Sequence, residues 1–179
     1  MPSLDEAFQQ ATCSRLNLCL FPDIASEMSP SQTVVAQQLQ CLMHRKTAAS
    51  VSVNVATISG DGNCLFRALS HAVTRSQEQH DLLRLYVTSY MANSEIAQKL
   101  KQLFANGDRP DEANESHILT MQEPGQWGTE EEIVTAAHLL ECSILCYSKY
   151  STNKFCLQHF PPHFIDSTPC TSSCKHETS

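Results

Sequence analysis

The stretch Gly60-Asp61-Gly62-Asn63-Cys64-Leu65-Phe66-Arg67-Ala68-Leu69-Ser70 joins a tight turn to the start of a helix. Asp61-Gly62-Asn63 is turn chemistry, and the apolar residues that follow, Leu65, Ala68, Leu69, Ala72 and Val73, recur at helical spacing. Cys64 therefore falls in the first turn of a predicted helix. Unpaired backbone N–H groups and the positive end of the helix dipole favour an anion there, which lowers the pKa of a thiol and prepares a nucleophile. The glycines flanking Asp61 let the backbone approach a bound carbonyl, so N–H groups of the turn are placed to hold an oxyanion. The same residues also suit a glycine-cornered turn followed by a helix with a half-buried packing cysteine, since a free thiol often serves as a small hydrophobe.

Composition removes several other classes. A net charge of −7, with no basic stripe, argues against nucleic-acid binding, which needs cations to meet phosphates. No apolar run is long enough to span a bilayer, and the N-terminus lacks the pattern of a signal peptide. An intracellular location, cytoplasmic or nuclear, is expected. The nine cysteines are scattered and odd in number, so mostly free thiols are expected. Cys142 and Cys146 would share a helical turn only in a helix, and their segment reads as strand; Cys170, Cys174 and His176 lack a second paired set of ligands, so no metal or cofactor is expected.

Along the chain, residues 1–30 are polar, contain Pro2, Pro22 and Pro30, and read as a flexible lead-in. Val34, Val35, Leu39, Leu42 and Met43 predict an amphipathic helix from Ser31 to about Arg45, and Val51, Val53 and Val55 alternate as in a strand. After the Cys64 helix, apolar spacing predicts helices over about 79–93 and from Ser94, its N-cap, to Asn106-Gly107. Residues 108–126, acidic and broken by prolines, read as a surface loop with at most a short helical turn. Thr129 and Glu132 have the spacing of a capping box that opens a further helix, and 143–147 and 155–160 read as strands. The domain is expected to run over 31–164, with a disordered tail at 165–179.

Gly60 to Ala68 resembles the nucleophile motif of the OTU (ovarian tumour) family of cysteine proteases. Trp127-Gly128, Glu132-Ile133, Ala136-Ala137 and Leu139-Leu140 resemble that family's second block, in its usual order. The resemblance spans roughly residues 50–160. It implies an α/β OTU-like fold, a small central sheet flanked by helices, with the last strands missing or altered. It also implies a deubiquitinase: Cys64 would attack the isopeptide carbonyl between ubiquitin, or a polyubiquitin chain, and a lysine, giving an acyl-enzyme that water cleaves. Asp61 matches the family's motif aspartate. Its backbone N–H suits an oxyanion role, its carboxylate is better placed to brace the turn than to act as base, and Asn63 is expected to cap or brace. Arg67 reads as either a pin for the loop or a solvated side chain, with solvation favoured.

A cysteine protease needs a base near neutral pH, and histidine suits it. In the family this histidine lies on a late strand and precedes an aromatic residue. His159-Phe160 and His163-Phe164 have that local look, yet Phe155 to Pro161 better matches an earlier family strand, which would put the catalytic histidine beyond Ser179. The alternative to an enzyme is therefore an inactive ubiquitin-binding OTU-like module or a truncated remnant. His71, His80, His117 and His138 carry no motif and are expected on surfaces or helix faces.

Overall fold

The computed structural model describes residues 4–22, 30, 55–105, 110–151 and 154–166. The predicted helix at 31–45 and residues 51–54 of the predicted strand lie outside these, and Val55 and Ala56 are irregular. Helix α1 covers Leu4–Leu16, α2 Cys64–Thr74, α3 His80–Met91, α4 Ser94–Ala105, α5 Asp111–Gln122 and α6 Glu130–Leu140. Strands β1 (Ile144–Ser151) and β2 (Lys154–Phe160) follow, then a 3₁₀ turn at Phe164–Asp166.

Helix α3 is the centre, packed on α2, α4, α5 and α6. Its inward positions Leu83, Val87 and Met91 meet Phe66, Leu69 and Val73 of α2, Ile96 and Leu100 of α4, and Val134, Ala137 and Leu140 of α6 in one apolar cluster. This spacing, three and four residues apart on each helix, is what the sequence pattern requires of faces turned to a shared core. Asn93 caps α4 by accepting the Glu95 N–H at 3.0 Å, one residue before the expected Ser94. The capping box at α6 is present: Glu132 accepts the Thr129 N–H at 2.6 Å, and Thr129 Oγ1 accepts the Glu131 N–H at 3.3 Å.

Helix α5 corrects the loop expected at 108–126. Its pattern is sparse because it buries only Asn114, Ile118 and Met121, but Pro110 precedes it and Asp111 and Glu112 occupy the first turn, where carboxylates offset the helix dipole.

Strands β1 and β2 form an antiparallel hairpin with Ile144 opposite Phe160 and Leu145 opposite His159, among the described residues a two-stranded sheet. Phe160 is buried against α6, and its ring meets Phe164 edge to face. Ile165, expected in the tail, is buried in the core, and Asp166 pairs with Lys99 at 2.8 Å. The fold is thus helix-rich α/β.

Residues 4–22 are helix and tethered chain, where a flexible lead-in was expected. Helix α1 lies behind α2, with Cys13 and Leu18 buried. Gln9 Nε2 donates to the Ala72 carbonyl at 2.8 Å, and the Phe21 N–H donates to Thr74 O at 3.0 Å. Gln79 grips Cys19 by accepting its N–H (2.9 Å) and donating to its carbonyl (2.6 Å). Few apolar residues mark α1, so periodicity did not reveal it; Cys13 packs into the core and side-chain bonds to α2 add to that hold. Gln79→Ala is expected to cost about 1 kcal/mol and to free this strap, so that the thiol of Cys13 labels faster with a cysteine reagent read by peptide mass spectrometry.

Candidate active site

The turn before α2 is built by its own side chains. The Asn63 N–H donates to Asp61 Oδ1 at 3.1 Å, closing the turn, and Gly62 takes φ +79°. A Cβ on Gly62 would collide with the Gly125 carbonyl, so the turn needs glycine for both its backbone angle and its neighbour. Gly125, at φ +81°, bends the partner loop between α5 and α6. Gly128 of that loop presses on the side chain of Leu65, again leaving no room for a Cβ. The second sequence block therefore packs directly on the first.

Arg67, one turn beyond Cys64, donates from Nε and Nη2 to both oxygens of Asp61 at 2.7–3.2 Å. This corrects the favoured solvated reading of Arg67. The Arg67 guanidinium, opposed by desolvation and joined by bonds from Asn63, holds the Asp61 carboxyl well below the usual carboxylate range. A carboxylate this firmly charged, with both oxygens engaged, is a brace and a poor proton acceptor.

Asn63 faces the other way. Its side chain makes no helix-capping bond; Oδ1 accepts from the Gly125 N–H at 2.7 Å and from Arg84 Nη2 at 2.9 Å. Arg84 is 2% exposed. Its guanidinium also donates to the carbonyls of Met121 (2.8 Å) and Gln126 (2.9 Å), and its Cζ sits 4.2 Å above the centroid of Phe66. Sequence reasoning missed Arg84. The available signal was an arginine at a core position of α3, between Leu83 and Val87 on the inward face.

Cys64, the first residue of α2, is a free and half-buried thiol. Among the described residues no hydrogen bond joins its sulfur to a histidine. His159 is exposed; its neighbours Gln158, bonded to Glu130 at 2.7 Å, and Phe160 both turn to α6, so strand alternation sends His159 the other way. His163 lines a cavity of about 360 Å³ with Arg15, Tyr90, His138 and Asp166. That cavity adjoins the C-terminal end of α6, whereas Cys64 adjoins its N-terminal end through Leu65 and Gly128. The helix between is about 16 Å long. The structure thus brings together Asp61, Asn63, Cys64 and Arg67, and among the described residues no hydrogen bond joins either histidine to them.

The histidines without motifs are mostly tied down. His117 Nε2 donates to Glu132 at 2.9 Å, His138 stacks on Tyr90 with Nδ1 2.9 Å from its hydroxyl, and His80 Nδ1 donates to the Gln77 carbonyl at 2.9 Å. Among the described residues no cluster of histidine, cysteine and carboxylate side chains could hold a metal ion, and no helix is long and apolar enough to cross a membrane.

Comparison with known proteins supplies context for this geometry. The model of the family described as OTU-like cysteine protease matches residues 59–179. The Arabidopsis thaliana protein OVARIAN TUMOR DOMAIN-containing deubiquitinating enzyme 9 is 32% identical over 108 residues, which are 60% of this chain and 28% of that protein. Enzyme 7 of the same series is 22% identical over 111 residues, 62% of this chain and 28% of that protein. The chain spans a little over a quarter of the length of these relatives. The solved OTU domain of OTUD1 superposes with a TM-score of 0.49 at 20% identity, covering 72% of this chain and 79% of that one.

Proposed function

The chain belongs to the OTU-like cysteine protease family, and from that premise we propose that it is an OTU-type deubiquitinase: a thiol-dependent isopeptidase acting on ubiquitin–lysine bonds, with ubiquitin or polyubiquitin chains as its partners. The observation that carries this reading is Cys64 at the head of α2, behind a turn braced by Asp61–Arg67 on one side and Asn63–Arg84 on the other. In the proposed cycle the Cys64 thiolate adds to the isopeptide carbonyl carbon, and the negative charge that develops on the carbonyl oxygen is met by N–H groups of the 61–64 turn. Collapse breaks the C–N bond and expels the lysine amine, which takes from solvent the proton that the Cys64 thiol gave up to it. Water then cleaves the thioester and frees the ubiquitin carboxylate. Asp61 and Asn63 act on geometry, Cys64 on bonds.

A second reading has its own support. No described histidine bonds to the Cys64 sulfur, and a domain that docks ubiquitin without turning it over needs none.

Reaction with ubiquitin carrying a cysteine-trapping electrophile at its C-terminus separates the two. A covalent adduct with the wild type that is absent in Cys64→Ala, together with cleavage of a diubiquitin, is the result expected of the enzyme. A folded protein that binds ubiquitin in titration yet forms no adduct establishes the binding module and overturns the isopeptidase.

A further inference from the structure

We propose that Arg84 is a positioning residue for the Cys64 turn: its buried guanidinium fastens Asn63 to the loop between α5 and α6, and this clip fixes the place of the thiol and of the N–H groups beside it. The inference rests on the isopeptidase reading, although its structural half can be tested without ubiquitin.

A buried arginine is ordinarily matched by a carboxylate, because an uncompensated charge in the core is destabilising. Among the described residues Arg84 has no such match at hydrogen-bond distance. Its bonds go to the carbonyls of Met121 and Gln126 and to the amide oxygen of Asn63, with the Gly62 carbonyl at 3.4 Å, and Nε is buried without a hydrogen-bond partner among the described residues. Burial pushes its pKa down, with Asp81, Glu132 and Asp61 opposing, and an arginine keeps its charge against such a pull. A core designed for stability alone would place an apolar residue among Phe66, Leu83 and Val87. What the guanidinium does that such a residue cannot is reach two loops at once. Its planar fork spans residues 62–63 and 121–126, which are otherwise joined by the Asn63–Gly125 bond. Asn63 is the residue immediately before the thiol, so a shift there moves Cys64 directly. Lysine, a point donor on a flexible stem, cannot bridge the same acceptors.

The test compares wild type, Arg84→Lys and, as a second way to open the clip, Asn63→Ala. Three quantities are measured: the rate constant for trapping by electrophile-tipped ubiquitin, the Kd for unmodified ubiquitin, and amide hydrogen exchange in the absence of ubiquitin. Both variants are expected to slow trapping at least tenfold while Kd stays within twofold. Exchange is expected to rise at least tenfold at residues 61–66 and 123–128, with the core of α3 and α6 unchanged. Trapping within twofold of wild type, a loss of rate matched by an equal loss of affinity, or a rise of exchange spread evenly over the whole domain would each overturn the proposal. If the wild type itself forms no adduct, the isopeptidase reading fails, and the exchange pattern alone then decides whether Arg84 holds the turn.

Discussion

Gly62→Ala is expected to destabilise the protein by about 3 kcal/mol, the sum of a left-handed backbone angle forced on a Cβ-bearing residue and an overlap with the Gly125 carbonyl. Both terms follow from the φ of +79° and from the absence of space at that position. Thermal unfolding should shift down by roughly 10 °C for a domain of this size. The effect on chemistry should be of similar size to the effect on folding and separable from it. Relief of the collision requires the 61–63 turn and the 123–128 loop to part, and a displacement near 1 Å at a nucleophile is enough to lower a rate about a hundredfold. Trapping by electrophile-tipped ubiquitin, measured well below the unfolding midpoint, checks this; a rate equal to wild type would show that the turn position does not govern Cys64. Gly60→Ala is the matched control, because a Cβ there meets nothing and its φ is not in the left-handed region.

The second large effect is expected at Glu132. Its side chain is fully buried at the start of α6 and accepts from the Thr129 N–H and hydroxyl and from His117. Glu132→Ala removes the acceptor for all three donors and is expected to cost about 3 kcal/mol. Burial pushes the Glu132 carboxyl up, but the bonds from His117 and Thr129 together outweigh it and leave the pKa below its ordinary 4.5. A carboxyl depressed in the folded state binds fewer protons there than in the unfolded chain, so stability rises with pH through this window. The contribution is complete above the unfolded value and is lost as pH falls through the lower, folded one. Urea midpoints taken from pH 7 to pH 3 should therefore drop more steeply for wild type than for Glu132→Gln. Parallel curves would contradict the assignment.

Much of this site was legible in the chain. The turn, the helix start at Cys64, the capping box at Thr129 and the hairpin at 144–160 all depend on residues close in sequence, where local chemistry dominates. The resemblance in two separated blocks was also sound, and the contact of Gly128 with Leu65 shows why both blocks are needed: each is the other's packing surface. What was not legible depends on partners far apart. Arg84 meets Asn63 across 21 residues and Met121 across 37, and no periodicity reports a guanidinium bridging carbonyls. Arg67 could be settled only by the orientation of the Asp61 carboxylate. Helix α1 carries little apolar signal, and helix α5 shows its face only as Asn114, Ile118 and Met121, one of them polar. His117 looked ordinary because its carboxylate partner belongs to another helix.

The bond from Gly125 to Asn63 joins residues 62 apart in the chain. A contact of that span closes only after the intervening helices have found one another, since the entropy of closing so long a loop must first be met by packing. The junction between the turn and the 123–128 loop is therefore expected to close late, after the local bond between Asn63 and Asp61 has shaped the turn itself. A nascent or partly unfolded chain therefore carries Cys64 beside a turn not yet anchored to the rest of the molecule. Under the proposed function, a chain that fails to finish folding would lack the anchored turn on which the reactivity of the thiol depends.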